Sequence, residues 1–312
     1  MRVPRYNMSM ISRYTYHDLL WVDIESPTHE EVRAIMSEFD IHPIVADELL
    51  TPSLRPKIDR YENYLYLILH FPALRHSHTT KTQEVDFVIG KKFIITVRYE
   101  LLDPMHKFAK VFEVNRILDK RDMGDHAGFV FFYMIRKIYA SLTHELEVIS
   151  ESLERIEDRI FLGEERAMVA EISKSYRDIL LFHRALRMHK SVLTSLESAC
   201  EDFFGKDFRH YAQNITGEYL KVEEILSDQK EILGDLRATN ASLLTTKTNE
   251  IMKVLTATNF MLLPATLIIQ IFSLPSAHKP IMGMVNDFWI VLVLVLLMVT
   301  TTFMIFKWKR WI

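Results

Sequence analysis

The uncharged stretch from Val254 to Ala277 is the feature that most limits what this chain can fold into. A helix rises about 1.5 Å per residue, so this stretch is long enough to cross a hydrocarbon core of about 30 Å. A second uncharged run extends from Phe288 to Phe306 and is long enough as well. The sequence therefore predicts two C-terminal transmembrane helices, at 254–274 and 288–306.

Basic residues on either side of the two spans predict how the chain is oriented. They lie before the first span and after the second, at Lys247, Lys253, Lys307, Lys309 and Arg310. The loop between the spans, 275–287, carries a single lysine. Because lysine and arginine accumulate on the cytoplasmic side, we expect an extracytoplasmic loop and a basic cytoplasmic tail at 307–312. The chain is predicted to be a multi-pass protein of the inner (plasma) membrane, embedded in the lipid bilayer, with both termini in the cytoplasm.

Polar side chains of the first span lie along one line. Steps of 3.5 residues give Asn249, Met252, Thr256, Asn259, Leu263, Thr266 and Gln270, here named the polar seam. Amides and hydroxyls in hydrocarbon need a partner or water. The residues alone leave two interpretations open: the seam holds neighbouring helices together, or it lines a wet pore.

The rest of the chain predicts a soluble α+β region and a long helix. Residues 1–125 alternate strand and helix patterns, with Thr28 as a helix N-cap, and predict an N-terminal α/β domain. Residues 126–206 predict a helical hairpin whose second helix extends unbroken from Glu165 to Phe203. A third helix beginning near Asp207 continues into the first span. Its length of about 100 Å exceeds a compact globule, so 207–253 is predicted to be a stalk.

Composition and the lack of known motifs exclude several functions. A net charge of −3 does not favour nucleic-acid binding, and one cysteine rules out a cysteine-based zinc site. There is no phosphate-binding glycine loop and no nucleophile elbow, so we expect neither an enzyme nor a bound cofactor. The acidic run in the hairpin offers Glu151, Glu154 and Asp158, which are either cation ligands or a solvated helix face.

Three segments carry a resemblance to a known family. The N-terminal LWVDIESPTHEEV, the strand pair FVIGKKFIITVR and above all KTNEIMKVLTATNFMLLPATLIIQIF resemble the CorA-type divalent cation channels, which include the zinc-transporting ZntB branch. The resemblance implies a funnel-shaped homopentamer in which the first span lines the pore and the second packs outside it. It also implies that Asn249, Met252 and Leu255 form the inner constriction, with Thr266 as a polar ring farther out.

The sequence departs from that family at the outer mouth. The family ends its first span in Gly-Met-Asn, whereas Ser273, Leu274 and Pro275 occupy those positions here. Gln270, where the family has a small residue, would either narrow the pore or supply a substitute ring of amides. Two functions follow: a pentameric channel for Mg²⁺, Co²⁺, Ni²⁺ or Zn²⁺, or a non-conducting scaffold or metal sensor. A divalent cation, Mg²⁺ or Zn²⁺, is the expected transported or regulatory ligand.

Overall fold

The computed structural model describes residues 10–72, 82–100, 103–118, 124–273 and 286–309. The strands are β1 (Met10–Tyr16), β2 (Leu19–Glu25), β3 (Lys57–Arg60), β4 (Tyr64–Phe71), β5 (Gln83–Gly90) and β6 (Phe93–Arg98). The helices are α1 (His29–Phe39), α2 (Pro43–Glu48), α3 (Asp103–Leu118), α4 (Ala127–Phe161), α5 (Glu165–Leu186), α6 (His189–Phe204), α7 (Arg209–Ser273) and α8 (Asp287–Trp308). The chain divides into a first unit, 1–162 with 168–236, and a second unit, 163–167 with 237–312.

The first unit contains a single mixed sheet in the described residues, with strand order β1-β2-β6-β5-β4-β3. Strands β2 and β6 are parallel, and every other neighbouring pair is antiparallel. Parallel strands need a long crossover, and the intervening α1, α2 and β3–β5 provide it. This arrangement confirms the predicted α+β fold class of the N-terminal region.

Helices cover both faces of the sheet. On one face, α1 and α2 contribute Val32, Ile35 and Val45 to a buried cluster with strand residues such as Tyr66. On the other face, aromatic rings of the sheet meet helices α3 and α4: Trp21 lies 5.6 Å from Phe112, and Phe87 lies 5.3 Å from Phe131, between ring centroids. Burial on both sides explains why β4 is almost continuously apolar, and in β5 every residue is buried, including Glu84 and Asp86.

Helix α1 begins as the sequence predicts. The Thr28 side chain accepts a hydrogen bond from the Glu31 backbone N–H, and the Glu31 carboxylate accepts one from the Thr28 N–H. This reciprocal capping box satisfies two backbone donors that a helix start leaves unpaired, and is worth about 1 kcal/mol. The predicted N-cap at Thr28 is confirmed.

A buried ion pair joins the parallel strands β2 and β6. The Arg98 guanidinium donates to both carboxylate oxygens of Asp23, with its closest contact at 3.0 Å, and the Thr96 hydroxyl donates to Asp23 at 2.7 Å. Trp21 in turn donates to the Thr96 hydroxyl. Loss of Arg98 would leave the buried Asp23 carboxylate without its charge partner, which costs about 3–5 kcal/mol.

The predicted second helix of the hairpin is wrong in one respect. Instead of one helix from Glu165 to Phe203, the structure has α5 and α6, separated at Arg187–Met188. No glycine or proline marks the break. Its physical reason is tertiary, because the buried His189 at the start of α6 accepts from the Tyr139 hydroxyl and donates to the His70 carbonyl, each at 2.8 Å.

The second unit contains the end of α7 and all of α8. The predicted long helix is confirmed: α7 continues for 65 residues and includes Pro264. Both α7 and α8 are long and apolar enough to cross a membrane. Leu274, Pro275 and most of the predicted loop 275–287 lie outside the described residues, as do the last three residues of the chain.

Candidate functional site

The part of α7 from Val254 to Ser273 has a packed face and an open face. Its two buried residues are Ala257 and Ala265, and half-buried Met261, Ile268 and Phe272 lie on the same side. The spacing of 257, 261, 265, 268 and 272 is that of a helix face that packs against a neighbour. This face defines which side of α7 is already occupied within one chain.

Helix α8 presents a matching stripe. Its half-buried positions between Phe288 and Phe306 are Val291, Val295, Met298, Val299, Thr302 and Phe306. The Phe306 ring lies 6.3 Å from that of Phe260 on α7, between centroids. The second span therefore packs against the first through one face of each helix.

The polar seam lies on the other side of α7. Asn249, Met252, Asn259, Leu263, Thr266 and Gln270 are exposed, and Thr256 is half-buried beside Ala257. At about 100° per residue, the mean direction of the seam is roughly 160° from that of the packed face. Within one chain, the second span leaves the seam uncovered.

Three seam residues, Asn249, Asn259 and Gln270, carry amide side chains. Among the described residues, none donates to or accepts from the side chains of Asn249, Asn259 and Gln270. The Thr266 hydroxyl of the seam differs, because it donates to the Leu263 carbonyl. A hydroxyl that donates to its own helix still offers its oxygen as an acceptor. An amide without a partner in hydrocarbon must instead meet water or another copy of the chain.

The N-terminal end of the seam borders an open groove of about 650 Å³. Asn249, Met252 and Thr256 line it together with Thr246, Glu250 and Lys253. The family resemblance adds Leu255 to the inner constriction. Leu255 is also exposed, but its position is rotated around the helix axis away from the middle of the seam. The structure thus brings Asn249, Met252 and Thr256 together at one surface.

At the outer end, only part of the predicted mouth lies among the described residues. Gln270 and Ser273 are exposed, and the Ser273 hydroxyl donates to the Ile269 carbonyl at 2.8 Å. From Val254 to Ser273 the sequence contains no aspartate, glutamate, histidine or cysteine. The polar groups available to an ion along this helix are therefore neutral oxygens and nitrogens.

Sequence reasoning missed a contact near the inner end of the seam. The Lys247 ammonium donates to the Gly163 carbonyl at 3.2 Å and to the Glu165 carboxylate at 2.5 Å. The Glu165 side chain is 5% exposed, and the hydrogen bond from Lys247 lowers the pKa of its carboxyl group. Because 82 residues separate Lys247 from Glu165, no local pattern could have indicated the pair. It ties the α4–α5 turn to α7 two residues before Asn249.

The three acidic residues of the hairpin do not form a metal site by themselves. Glu151, Glu154 and Asp158 are exposed on α4, and Glu151 lies 3.9 Å from Arg155. No group of three or more suitable ligands is positioned to hold a metal anywhere in the described part of the chain. A cation bound at these carboxylates would need ligands from a second copy.

Several proteins resemble this chain over nearly its full length. The cobalt/magnesium transport protein CorA of Thermotoga maritima is 21% identical over 94% of this chain and 83% of its own. The protein of the same name from Methanocaldococcus jannaschii is 21% identical over 94% of this chain and 92% of its own. The magnesium transport protein CorA of Campylobacter jejuni RM1221 is 20% identical over 99% and 96%.

Solved structures show that the fold is shared. The complete structure of the Methanocaldococcus jannaschii CorA magnesium transporter matches with a TM-score of 0.82, at 19% identity, over 96% of this chain and 93% of that chain. Full-length CmaX matches with a TM-score of 0.72, at 17% identity, over 99% and 94%. The α+β region, the long helix and the C-terminal apolar helix are therefore those of the CorA fold.

A family model gives the assignment itself. The model described as CorA-like Mg2+ transporter protein matches residues 16–310, which include strands β2 to β6, the hairpin and both spans. Members of this family are membrane transporters, so the prediction that the chain is not an enzyme is confirmed. The chain belongs to the family of CorA-like Mg²⁺ transporter proteins.

Proposed function

We propose that this protein is a homopentameric channel that conducts divalent cations along the polar seam of α7. The observation that carries the proposal is the set of unpartnered amides of Asn249, Asn259 and Gln270 on the side of α7 that α8 leaves uncovered. A row of amides facing lipid would be costly, whereas the same row facing a water-filled axis is solvated.

A ring of copies is the simplest arrangement that provides such an axis. One chain has two spans and cannot enclose a pore, so the seam must meet the same seam of other copies, as closed symmetry allows. The packed face formed with α8 then lies on the outside of the ring. Five is the number of copies that the resemblance to CorA-type channels implies. Asn249, Met252 and Leu255 would form the inner constriction, and Thr266 and Gln270 would form rings farther out.

The chemistry of the seam favours a hydrated ion. Mg²⁺ loses its water reluctantly, and neutral oxygens such as those of Asn259, Thr266 and Gln270 can bind it through its water shell. Zn²⁺ prefers histidine, cysteine or carboxylate ligands, and the span from Val254 to Ser273 contains none of these. Relatives named cobalt/magnesium transport proteins support Mg²⁺ and Co²⁺ as cargo. We expect Mg²⁺, Co²⁺ and Ni²⁺ to permeate better than Zn²⁺.

Membrane location and regulation from the cytoplasmic side are further parts of the proposed function. The charge bias of Lys247, Lys253 and Lys307 favours an orientation with both termini in the cytoplasm. We propose the inner (plasma) membrane as the location. The carboxylates of Glu151, Glu154 and Asp158 would then face cytoplasmic solution. Between neighbouring copies they are candidate ligands for a regulatory Mg²⁺ or Zn²⁺.

Ion flux into proteoliposomes tests the function. Purified protein is reconstituted, and uptake of Mg²⁺, Co²⁺, Ni²⁺ and Zn²⁺ is compared with empty vesicles. Uptake of any of these ions above the empty-vesicle level is the expected result. No uptake of any ion would reject the channel and favour the alternative, a scaffold or metal sensor. In that case the triple variant Ser273→Gly, Leu274→Met and Pro275→Asn should gain flux.

A further inference from the structure

A pocket in the first unit is unusually rich in arginine. It lies between the loop after α2, the end of β4, the start of β5 and the end of α5, and has a volume of about 740 Å³. Its polar lining residues are Arg55, His70, Thr82, Arg184 and Arg187, and its other walls are apolar side chains that include Met188. Among the residues that the structure describes, no aspartate or glutamate lines it.

The three arginines of the pocket are unpaired within the described part of the chain. Among the described residues, Arg55, Arg184 and Arg187 make neither an ion pair nor a hydrogen bond through their side chains. Several arginines of the first unit outside the pocket are paired, such as Arg13 with Glu38 and Arg60 with Asp202. The pocket therefore collects guanidinium groups that the rest of the unit leaves free.

The arrangement of these arginines is unfavourable without a ligand. Arg184 and Arg187 are three residues apart at the end of α5, where side chains with this spacing are neighbours and like charges repel. Arg55 adds a third positive charge from a different element. Residues 73–81, which connect β4 to β5 in sequence, contain no acidic residue that could neutralise them.

A histidine, His70, also lines the pocket. His70 Nε2 is 3.0 Å from the Glu84 carboxylate and 3.0 Å from the Ser53 carbonyl. Burial lowers the pKa of His70, but the hydrogen bonds with Glu84 and Ser53 outweigh this effect and raise the pKa above its usual value. The Glu84 carboxylate contacts His70 Nε2 and accepts a hydrogen bond from the Ser53 backbone N–H. It does not line the pocket and leaves the arginines uncompensated.

We propose that this pocket binds a nucleotide, through its phosphate groups on Arg55, Arg184 and Arg187. Guanidinium groups bind phosphate oxygens bidentately, which makes arginine the preferred residue for this ligand. The Thr82 hydroxyl supplies a further donor, and the apolar walls with Met188 offer a surface for the base. The volume is within the range of about 300–1,000 Å³ that small-molecule sites occupy. The positive lining excludes a divalent cation, so the site is separate from the ion pathway.

Binding of ATP to the full-length protein in detergent tests the proposal. Isothermal titration calorimetry is run at low salt with EDTA present throughout, so that chelation of divalent ions by ATP produces no signal. Tripolyphosphate and adenosine are the comparison probes. We expect ATP to bind more tightly than tripolyphosphate, since the apolar walls add contacts with the base, and adenosine to bind most weakly.

Matched variants locate the site. The double variant Arg184→Gln with Arg187→Gln, and separately Arg55→Gln, should each weaken ATP binding at least tenfold. Arg177→Gln removes an exposed arginine from the same helix α5 but outside the pocket, and should leave the affinity within twofold of the unmodified protein. Gel filtration confirms that each variant keeps its oligomeric state. Since Arg55 lies on a different element, its variant keeps the test valid if the double variant misfolds.

Three results would overturn the proposal. One is the absence of ATP binding at concentrations on the order of 1 mM. Another is equal binding by the Arg55→Gln and Arg177→Gln variants, which would place any site elsewhere. The third is equal affinity for tripolyphosphate and ATP, which would show that the apolar walls do not hold a base.

Discussion

At the scale of single residues, Asn259 separates a pore from a simple helix contact. Its amide has no partner among the described residues and lies opposite the face that α8 covers. We predict that Asn259→Leu lowers Mg²⁺ flux roughly tenfold, because a ring of neutral oxygens is replaced by a longer hydrophobic constriction. The oligomer should persist, since one interhelical hydrogen bond in a membrane is worth only about 0.6 kcal/mol.

Thr258→Val is the matched control for this change. The Thr258 hydroxyl already donates to the Val254 carbonyl, and the residue lies off the seam. Flux and oligomer size are measured for both variants in the same lipid and detergent. If Asn259→Leu dissociates the oligomer while its remaining assembled fraction conducts normally, Asn259 holds helices together and does not line the pore.

His189 should make the stability of the protein depend on pH. Burial lowers the pKa of His189 to about 4, whereas an unfolded histidine has a pKa of about 6.5. Because the unfolded state binds the proton more tightly, stability is fully present above about pH 6.5 and is lost as pH falls toward 4. We predict a loss of about 2 kcal/mol in the free energy of unfolding between pH 7 and pH 5 from this residue.

Thermal unfolding of the full-length protein at these two pH values measures the effect. His189→Gln should unfold earlier at pH 7, because hydrogen bonds with Tyr139 and the His70 carbonyl are disturbed, but should lose less stability on acidification. His183→Gln, an exposed histidine of α5, should behave like the unmodified protein. An equal pH dependence in the His189 and His183 variants would contradict the assignment.

At the scale of elements, the contact of Lys247 with the α4–α5 turn predicts local protection. Lys247→Met removes the donor to the Gly163 carbonyl and to Glu165. Backbone amide hydrogens of residues 163–167 should then exchange with solvent roughly two- to fivefold faster. The expected effect is modest because the lysine of this ion pair is half exposed. Hydrogen exchange with mass spectrometry measures this. Lys253→Met changes a lysine of the same helix for which the described residues show no such contact, and should leave the exchange rates of these amides unchanged. Equal exchange rates in the two variants would mean that the ion pair does not hold the turn.

The elements that could be predicted from the sequence are those whose signals lie within a few neighbouring residues. Thr28 and Glu31 form the predicted cap of α1, because a capping box is contained within four residues. Helix α7 was predictable because no strong breaker interrupts it before the membrane and Pro264 is tolerated within it. The break between α5 and α6 was not predictable, since it depends on contacts of His189 with Tyr139 and His70, which are distant in sequence.

At the scale of the whole molecule, the sequence predicted the order of the parts and, within the candidate site, the polar seam. The seam came from a 3.5-residue spacing, which is local, and the structure adds that α8 leaves this side of α7 uncovered. The Lys247 contact and the arginine pocket were missed because each combines residues far apart in sequence. The number of copies and any metal ligands shared between copies depend on surfaces that one chain does not contain.

Cysteine accessibility along α7 tests the central claim, that the seam lines a water-filled path. The background is low because the one native cysteine, Cys200, is buried, and burial raises the pKa of its thiol to about 12. Single cysteines replace seam residues Asn259, Leu263 and Thr266, or packed-face residues Ala257 and Ala265, in reconstituted protein.

A water-soluble thiol reagent is then added, and Mg²⁺ flux is recorded. The pore account predicts that the reagent modifies Asn259→Cys, Leu263→Cys and Thr266→Cys and blocks their flux, while Ala257→Cys and Ala265→Cys stay unmodified. Protection of all three seam cysteines in conducting protein, or the reverse pattern, would contradict it.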